Sequence, residues 1–235
     1  MQCVVLAGGL GTRLRPFTDQ TPKFLVPVAG RPFAHWQLSW LAGQGVDDVL
    51  VSIGHLGGQI RTYVGDGSSW GLRVTCVDEG SHLLGTAGAL RLALDQGDLA
   101  ESFLVLNGDS YLDVDLEAVW SAFLASARPG LMTVFRNDGR WEVSNARLET
   151  NGTVYYDKRL HHVPALAMSY VDYGLLALRR DVVERVPPST AADLADLLHS
   201  LSLDGNLLGY EVADRFYEIG SLDGLADLQN RLAGR

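Results

Sequence analysis

Short apolar runs alternate with amphipathic stretches along the first half of the chain. Cys3 to Ala7 reads as a buried strand that breaks at once into Gly8, Gly9 and Gly11. Within Phe33 to Gln44, Trp36, Leu38, Trp40 and Leu41 recur at a spacing that predicts a helix packed on a sheet, its aromatics in the core. Val49 to Ile53 predicts a second strand, Leu56 to Val64 a short helix, Gly65 to Ser68 a turn, and Arg73 to Val77 a third strand. A helix entered at Gly85 and capped by Thr86 runs to Leu94, Phe103 to Leu106 forms a fourth strand, and Asp115 caps a helix from Leu116 to Ala127. Nearly all-apolar strands that alternate with helices imply a mainly parallel sheet covered on both faces.

The second half is less regular. Gly130 to Phe135, Val143 to Leu148, Val154 to Tyr156 and Val171 to Leu178 read as strands, the middle pair joined by the Asn151-Gly152 turn signal. Helices over Asp181 to Val186 and Ala192 to Leu203 are separated by Pro187-Pro188, and a last helix starts at Leu222. The expected class is α/β: a Rossmann-like mixed, mainly parallel sheet flanked by helices, with a small sheet extension in the second half. At 235 residues we expect a single domain, 1–235, with halves 1–115 and 116–235.

Composition changes this picture in a few places. A net charge of −9 argues against nucleic acid or an anionic membrane as partner, since both ask for a basic face. Cys3 and Cys76 give neither a disulfide framework nor metal spacing and read as core residues. The six histidines show no pair at metal spacing, His161-His162 included. With no membrane-span-length apolar window and no basic patch before the first apolar run, a soluble cytoplasmic protein is expected. Of the 19 basic residues only Lys23 and Lys158 are lysine, so seventeen are arginine. A coding bias accounts for the arginine background. The two lysines, whose compact charge a planar guanidinium does not copy, are then candidates for functional contacts.

The candidate chemistry lies in Val4 to Pro32. Glycines after a strand let successive backbone N–H groups converge on an anion, and Arg13, Arg15 and Lys23 add positive charge, the equipment a triphosphate requires. The dinucleotide fingerprint fails because Leu14 stands where its third glycine belongs, and no Gly-Lys pair exists to make a Walker loop. Asp109, at the carboxyl end of the fourth strand, stands where an open α/β sheet collects ligands.

LAGGLGTRLRPFT followed by PKFLVPVAGRP resembles the signature of the sugar-1-phosphate nucleotidylyltransferases, and the resemblance covers nearly the whole chain. It implies a fold of the nucleotide-diphospho-sugar transferase type. It also implies nucleotide contacts from Leu6, Ala7, Gly8, Gly9, Gly11, Thr12, Glu79, Gly85, Thr86 and Gly108, with Arg13 and Lys23 as catalytic residues. Asn145, Asp157, Lys158, Asp172 and Tyr173 would meet the sugar phosphate. Asp109 matches the metal-binding aspartate of a Mg²⁺ site, and Glu218 stands where the pattern has a second aspartate. Two more departures are Leu83 and Arg159, both at positions where the pattern has proline.

The partners so implied are an NTP and a sugar-1-phosphate, with the protein a monomer or homodimer. LLGTAGAL and LVLNGDSYLDVDL are most similar to the D-glycero-D-manno-heptose-1-phosphate guanylyltransferases, which implies GTP. PKFLVPVAGRP and GDGSSWGL are shared with the N-acetylmuramate-1-phosphate uridylyltransferases. A regulatory protein that binds sugar nucleotides without turnover is the reading of another class. Glu218 speaks for it; Arg13, Lys23, Asp109 and Lys158 speak against it.

Overall fold

A computed structural model describes residues 1–137, 143–159 and 168–233; the His161-His162 pair lies outside them. In chain order the elements are β1 (Gln2–Leu6), β2 (Pro27–Val28), β3 (Arg31–Pro32), α1 (Phe33–Gly43), β4 (Asp48–Ile53), α2 (Gly57–Val64) and β5 (Arg73–Asp78). Then come α3 (Gly85–Asp95), β6 (Ser102–Asn107), β7 (Ser110–Tyr111), α4 (Leu116–Ala125), β8 (Gly130–Arg136), β9 (Ala146–Leu148) and β10 (Val154–Tyr156). The chain ends with β11 (Tyr170–Arg179), α5 (Arg180–Glu184), α6 (Leu194–Leu203), β12 (Leu207–Val212), β13 (Tyr217–Glu218) and α7 (Leu222–Leu232). The architecture is a mixed, mainly parallel sheet flanked by helices.

The chain forms two compact units, one of Met1–Leu84, Val105–Asp113 and Phe216–Arg235, the other of Gly85–Leu104 and Val114–Arg215. In the first, β1 pairs in parallel with β4 and β4 with β5, so Val4 lies opposite Leu50, and Leu50 opposite Thr75. Helix α1 buries Phe33, Ala34, Gln37, Leu38 and Leu41. Trp36 and Trp40, expected in the core, are only half-buried, because the buried stripe runs one residue to the side of the aromatic one. Trp36 keeps its indole N–H near the surface, where it donates to the Val28 carbonyl at 2.8 Å. Cys76 is half-buried as well, whereas Cys3 is in the core, where burial pushes its thiol far up from the usual range.

The second unit carries the antiparallel part. Strand β11 pairs with β8, and β9 with β10 across the predicted Asn-Gly turn, where Asn151 Oδ1 accepts from the Thr153 amide at 3.0 Å. Asp115 caps α4 as expected, accepting from the Ala118 amide at 3.2 Å. Strand β12, parallel to β8, was not legible in the sequence. Gly209 interrupts its apolar run. A Cβ there would meet Leu148 Cδ1 at 2.4 Å, so the close approach of β9 explains the glycine that hides the strand.

The C-terminal elements return to the first unit, where β13 pairs with β7 and Ser221 caps α7 by accepting from the Gly224 amide at 3.1 Å. Asp223 sits in the first turn of that helix, as expected for a helix-start residue. A Cβ on Gly224 would stand 2.1 Å from the Glu218 carbonyl oxygen. Gly224→Ala is therefore expected to lower unfolding stability by about 1–3 kcal/mol, read by urea denaturation, because backbone has to move. An unchanged midpoint would show that α7 and β13 do not need this contact.

Candidate active site

The first unit assembles most of the expected nucleotide residues around the end of β1. The Ala7 amide donates to Ser52 at 2.9 Å and the Gly108 amide to Leu6 at 3.0 Å, so the glycine loop is tied to the ends of both β4 and β6. Gly108 is obligatory: a Cβ would stand 2.6 Å from Leu6 O and 3.0 Å from Ala7 Cα. Beyond Ala7, no backbone N–H from Gly8 to Arg13 finds an acceptor among the described residues, and the Leu14 amide, bonded to Gly11 O at 3.0 Å, is the next to do so. Gly9, Thr12 and Arg13 are exposed. A run of open donors beside an arginine is suited to an anion.

Glu79 lies directly behind this loop. A Cβ on Gly8 would meet its Oε1 at 2.6 Å, Leu84 donates its amide to Oε2 at 2.6 Å, and the Ser52 hydroxyl donates to Oε1 at 3.3 Å. Burial raises the Glu79 pKa against these two bonds. The carboxyl is thus fixed in orientation beside the loop that the resemblance gives to the nucleotide.

On the other side of the loop, Gly11 adopts φ 60° as it enters the single turn Thr12–Leu14, and a Cβ there would stand 3.4 Å from Lys23 Cβ. Lys23 Nζ forms an ion pair and hydrogen bond with Asp109 Oδ2, both side chains largely buried at 15% and 25% exposure. Arg13 and Glu218 flank Gly220: a Cβ on that glycine would lie 3.1 Å from Arg13 Nη2 and 3.5 Å from Glu218 Oε2. Glu218 faces Ser110 across the β7–β13 pair, and the Ile219 amide donates to Asp109 O at 2.9 Å. The structure therefore brings Arg13, Lys23, Asp109 and Glu218 to one place.

Among the described residues no group of three or more His, Cys, Asp or Glu side chains could enclose a metal. Asp109 and Glu218, brought to the same strand pair, nevertheless offer the oxygen-only donors that fit Mg²⁺, which takes one or two protein carboxylates and completes its shell from phosphates and water. In such a site Asp109 and Glu218 would be the holders.

One residue here was not read from the sequence. Gln37, fully buried on α1, donates through Nε2 to Asn107 O at 2.9 Å and Ser110 O at 2.8 Å, and so clamps both ends of the turn that presents Asp109. Its Oε1 is buried without a partner. The only sequence signal is a polar residue on the buried stripe of an otherwise apolar helix face.

In the second unit Asn145 is the organiser. Its backbone carbonyl accepts from the Asp157 amide at 3.0 Å and its side-chain Oδ1 from the Asp172 amide at 2.9 Å, so the strand ends bearing both aspartates hang on one residue. Lys158 is exposed beside them. Tyr173, expected on a half-buried strand within reach of sugar hydroxyls, is instead completely buried. Thr86 does not cap α3 as expected; it lies inside that helix, and its hydroxyl donates to Asp193 Oδ1 at 3.0 Å and accepts from the Leu194 amide at 2.8 Å, serving the start of α6. Gly85, at φ 71°, packs against Ala192, whose carbonyl takes the Ala87 amide at 2.9 Å, because a Cβ would meet that oxygen at 2.6 Å.

The family model for nucleotidyl transferases matches residues 2–233. The chain belongs to the nucleotidyl transferase family. Over 236 residues it is 29% identical to the N-acetylmuramate alpha-1-phosphate uridylyltransferase of Neisseria meningitidis, covering 100% of this chain and 99% of that protein. To the D-glycero-alpha-D-manno-heptose 1-phosphate guanylyltransferase of Aneurinibacillus thermoaerophilus it is 33% identical over 125 residues, 53% of each chain. The crystal structure of HddC from Yersinia pseudotuberculosis superposes with a TM-score of 0.78 at 22% identity, covering 98% of both chains, a likeness that carries the fold alone.

For this transferase the Gln37 clamp makes a separable prediction. Gln37→Leu removes two hydrogen bonds to buried carbonyls and is expected to cost about 2–4 kcal/mol in urea denaturation. A cost below 0.5 kcal/mol, on the order of a surface change, would show that the Asp109 turn holds itself without α1.

Proposed function

We propose that the protein is a sugar-1-phosphate nucleotidylyltransferase: it joins a nucleoside monophosphate from an NTP to a sugar-1-phosphate and releases pyrophosphate. The observation that carries this reading is the run of open amides from Gly8 to Arg13, set beside the Lys23–Asp109 pair. A phosphate oxygen of the sugar-1-phosphate attacks the α-phosphorus. The new P–O bond forms as the bond to the β-phosphate breaks, and pyrophosphate leaves with that electron pair. The nucleophile is already an anion, so no side chain has to remove a proton.

The residues then have electrostatic and positional roles. The glycine-loop amides, from Gly8, Gly9, Gly11 and Thr12, and the Arg13 guanidinium hold the β- and γ-phosphates. Leu6, Ala7 and Gly108 form the floor, and Glu79, with Gly85 and Thr86, faces the nucleoside. Lys23 steadies the α-phosphate and the incoming oxygen; Asn145, Asp157, Lys158 and Asp172 orient the sugar phosphate, with buried Tyr173 supporting their strand. Mg²⁺, held by Asp109 and Glu218, would supply charge neutralisation for the nucleotide phosphates. On this reading residues 1–235 act as a single nucleotidyltransferase domain.

For the finer choice we carry forward GTP and a heptose-1-phosphate, on LLGTAGAL and LVLNGDSYLDVDL. A second reading, UTP with N-acetylmuramate-1-phosphate or another hexose-1-phosphate, is favoured by the full-length similarity to the Neisseria protein. Pyrophosphate release across GTP, UTP, CTP, ATP and dTTP with a panel of sugar-1-phosphates tests reaction and choice together. Lys23→Ala and Asp109→Ala are expected to stay folded by circular dichroism and lose about 100-fold or more in kcat, the scale of losing a preorganised charge at a reacting centre. Wild-type rates in either variant would refute the assignment, and tight nucleotide binding with silence across the panel would favour the regulatory reading.

A further inference from the structure

The segment that follows the glycine run inverts the usual order of burial. Arg15, Pro16, Phe17, Asp19 and Gln20 are all exposed, Phe17 at 58%, while Thr18 among them is 2% exposed. A chain that turns a phenyl ring to solvent and a hydroxyl inward is not following hydrophobicity. A specific bond holds Thr18 in. Its Oγ1 donates to Gly11 O at 2.8 Å, and a Cβ on Gly11 would stand 2.9 Å from the Thr18 methyl, so hydroxyl and methyl both close on one glycine. The far end of the segment is held as well: Gln59 Nε2 on α2 donates to Gln20 O at 2.9 Å, and the Asp19 amide donates to Pro16 O at 3.1 Å.

What Thr18 grips is a peptide group of the candidate phosphate loop. Gly11 O also takes the Leu14 amide at 3.0 Å, so both lone pairs of that carbonyl are used within the protein. A trans peptide is planar, with C=O and N–H on opposite edges. The Thr12 N–H, one of the open donors described above, therefore points away from Thr18. Gly11, at φ 60° and without a Cβ, has the freedom to turn this plane over. A reversed plane would set a carbonyl oxygen against a phosphate in place of a donor, exchanging attraction for repulsion.

We propose that Thr18 is a positioning residue for nucleotide binding: through its buried hydroxyl it holds the Gly11 carbonyl inward and so fixes the Thr12 amide toward the polyphosphate. Thr18 does not itself touch the ligand, because its one donated proton is spent on Gly11 and its side chain is covered. Two consequences separate this role from plain packing. The effect reaches the phosphates and not the base, so every nucleotide feels it alike, and it requires the hydroxyl rather than the methyl. The inference rests on the sugar-1-phosphate reading above, in the part that seats the β- and γ-phosphates on the glycine loop.

The test compares two pairs that differ at the hydroxyl, wild-type Thr18 with Thr18→Val and Thr18→Ser with Thr18→Ala, in the full chain, with folding followed by circular dichroism. Calorimetric titration with GTP, UTP and inorganic tripolyphosphate gives affinities, and pyrophosphate release with the substrates selected by the panel above gives each KM. Loss of the hydroxyl is expected to weaken all three ligands about tenfold, the scale of one hydrogen bond to a buried carbonyl. KM for the sugar-1-phosphate is expected to stay unchanged, and Thr18→Ser to bind like wild type. Should Thr18→Val fail to fold, the Ser and Ala variants carry the comparison. Folded variants without the hydroxyl that bind all three ligands as wild type does, or a Thr18→Ser that falls as far as Thr18→Ala, overturn the role of the hydroxyl. A loss confined to one nucleotide, or shared by the sugar-1-phosphate, overturns its path through Thr12. In each of these cases weakened tripolyphosphate binding by Arg13→Ala still upholds the loop as the phosphate seat. A wild-type protein that binds none of the three ligands overturns the reaction reading, and the inference with it.

Discussion

The ends of β1 and β6 approach until only a glycine fits between them. Gly108 touches Leu6 and Ala7 at distances no side chain tolerates, and its amide closes the contact by bonding to Leu6. Because the two strand ends are fixed to each other, everything that continues from them is placed: the glycine loop from one, Asp109 from the other. The register is reinforced twice, from β4 through Ser52 and from α1 through Gln37. The loop can then leave its amides without internal partners, since the strands and not the loop's own hydrogen bonds hold its shape.

On that base the charged side chains are gathered. Lys23 and Asp109 satisfy each other in a partly buried position, where an isolated ion would be costly. Arg13 and Glu218 both stand beside Gly220, a position whose missing side chain gives each of them room. The pattern's aspartate has become a glutamate here, yet the β7–β13 pairing still delivers its carboxylate beside the Asp109 turn. A longer side chain reaching over Gly220 is compatible with the same neighbourhood, and this removes much of the force of the regulatory reading.

What the sequence made legible follows from how local each signal was. The parallel strands around Val4, Val51, Val77 and Val105 announced themselves as uninterrupted apolar runs, and the Asn151-Gly152 hairpin as a turn dipeptide. Asp109 was readable because a strand ended just before it. Strand β12 was hidden because a contact from β9 forces Gly209 into it, and the buried face of α1 was misplaced because Gln37 occupies the stripe that Trp36 and Trp40 were expected to fill. Thr86 had the composition of a cap but serves a helix more than a hundred residues away, and Tyr173 went inside where a strand face was expected to be half-open. These outcomes depend on tertiary partners that no local pattern carries.

The proposed reaction depends most on the glycine-loop amides being the seat of a polyphosphate. The direct measurement is a titration of isotope-labelled protein with each NTP, following the backbone amide resonances of Gly8, Gly9, Leu10, Gly11, Thr12 and Arg13. Saturable shifts in these amides, larger than those of the exposed amides around Ser68 and Ser69 at the far turn, are the expected result. Saturable nucleotide binding that leaves the loop resonances in place would contradict it.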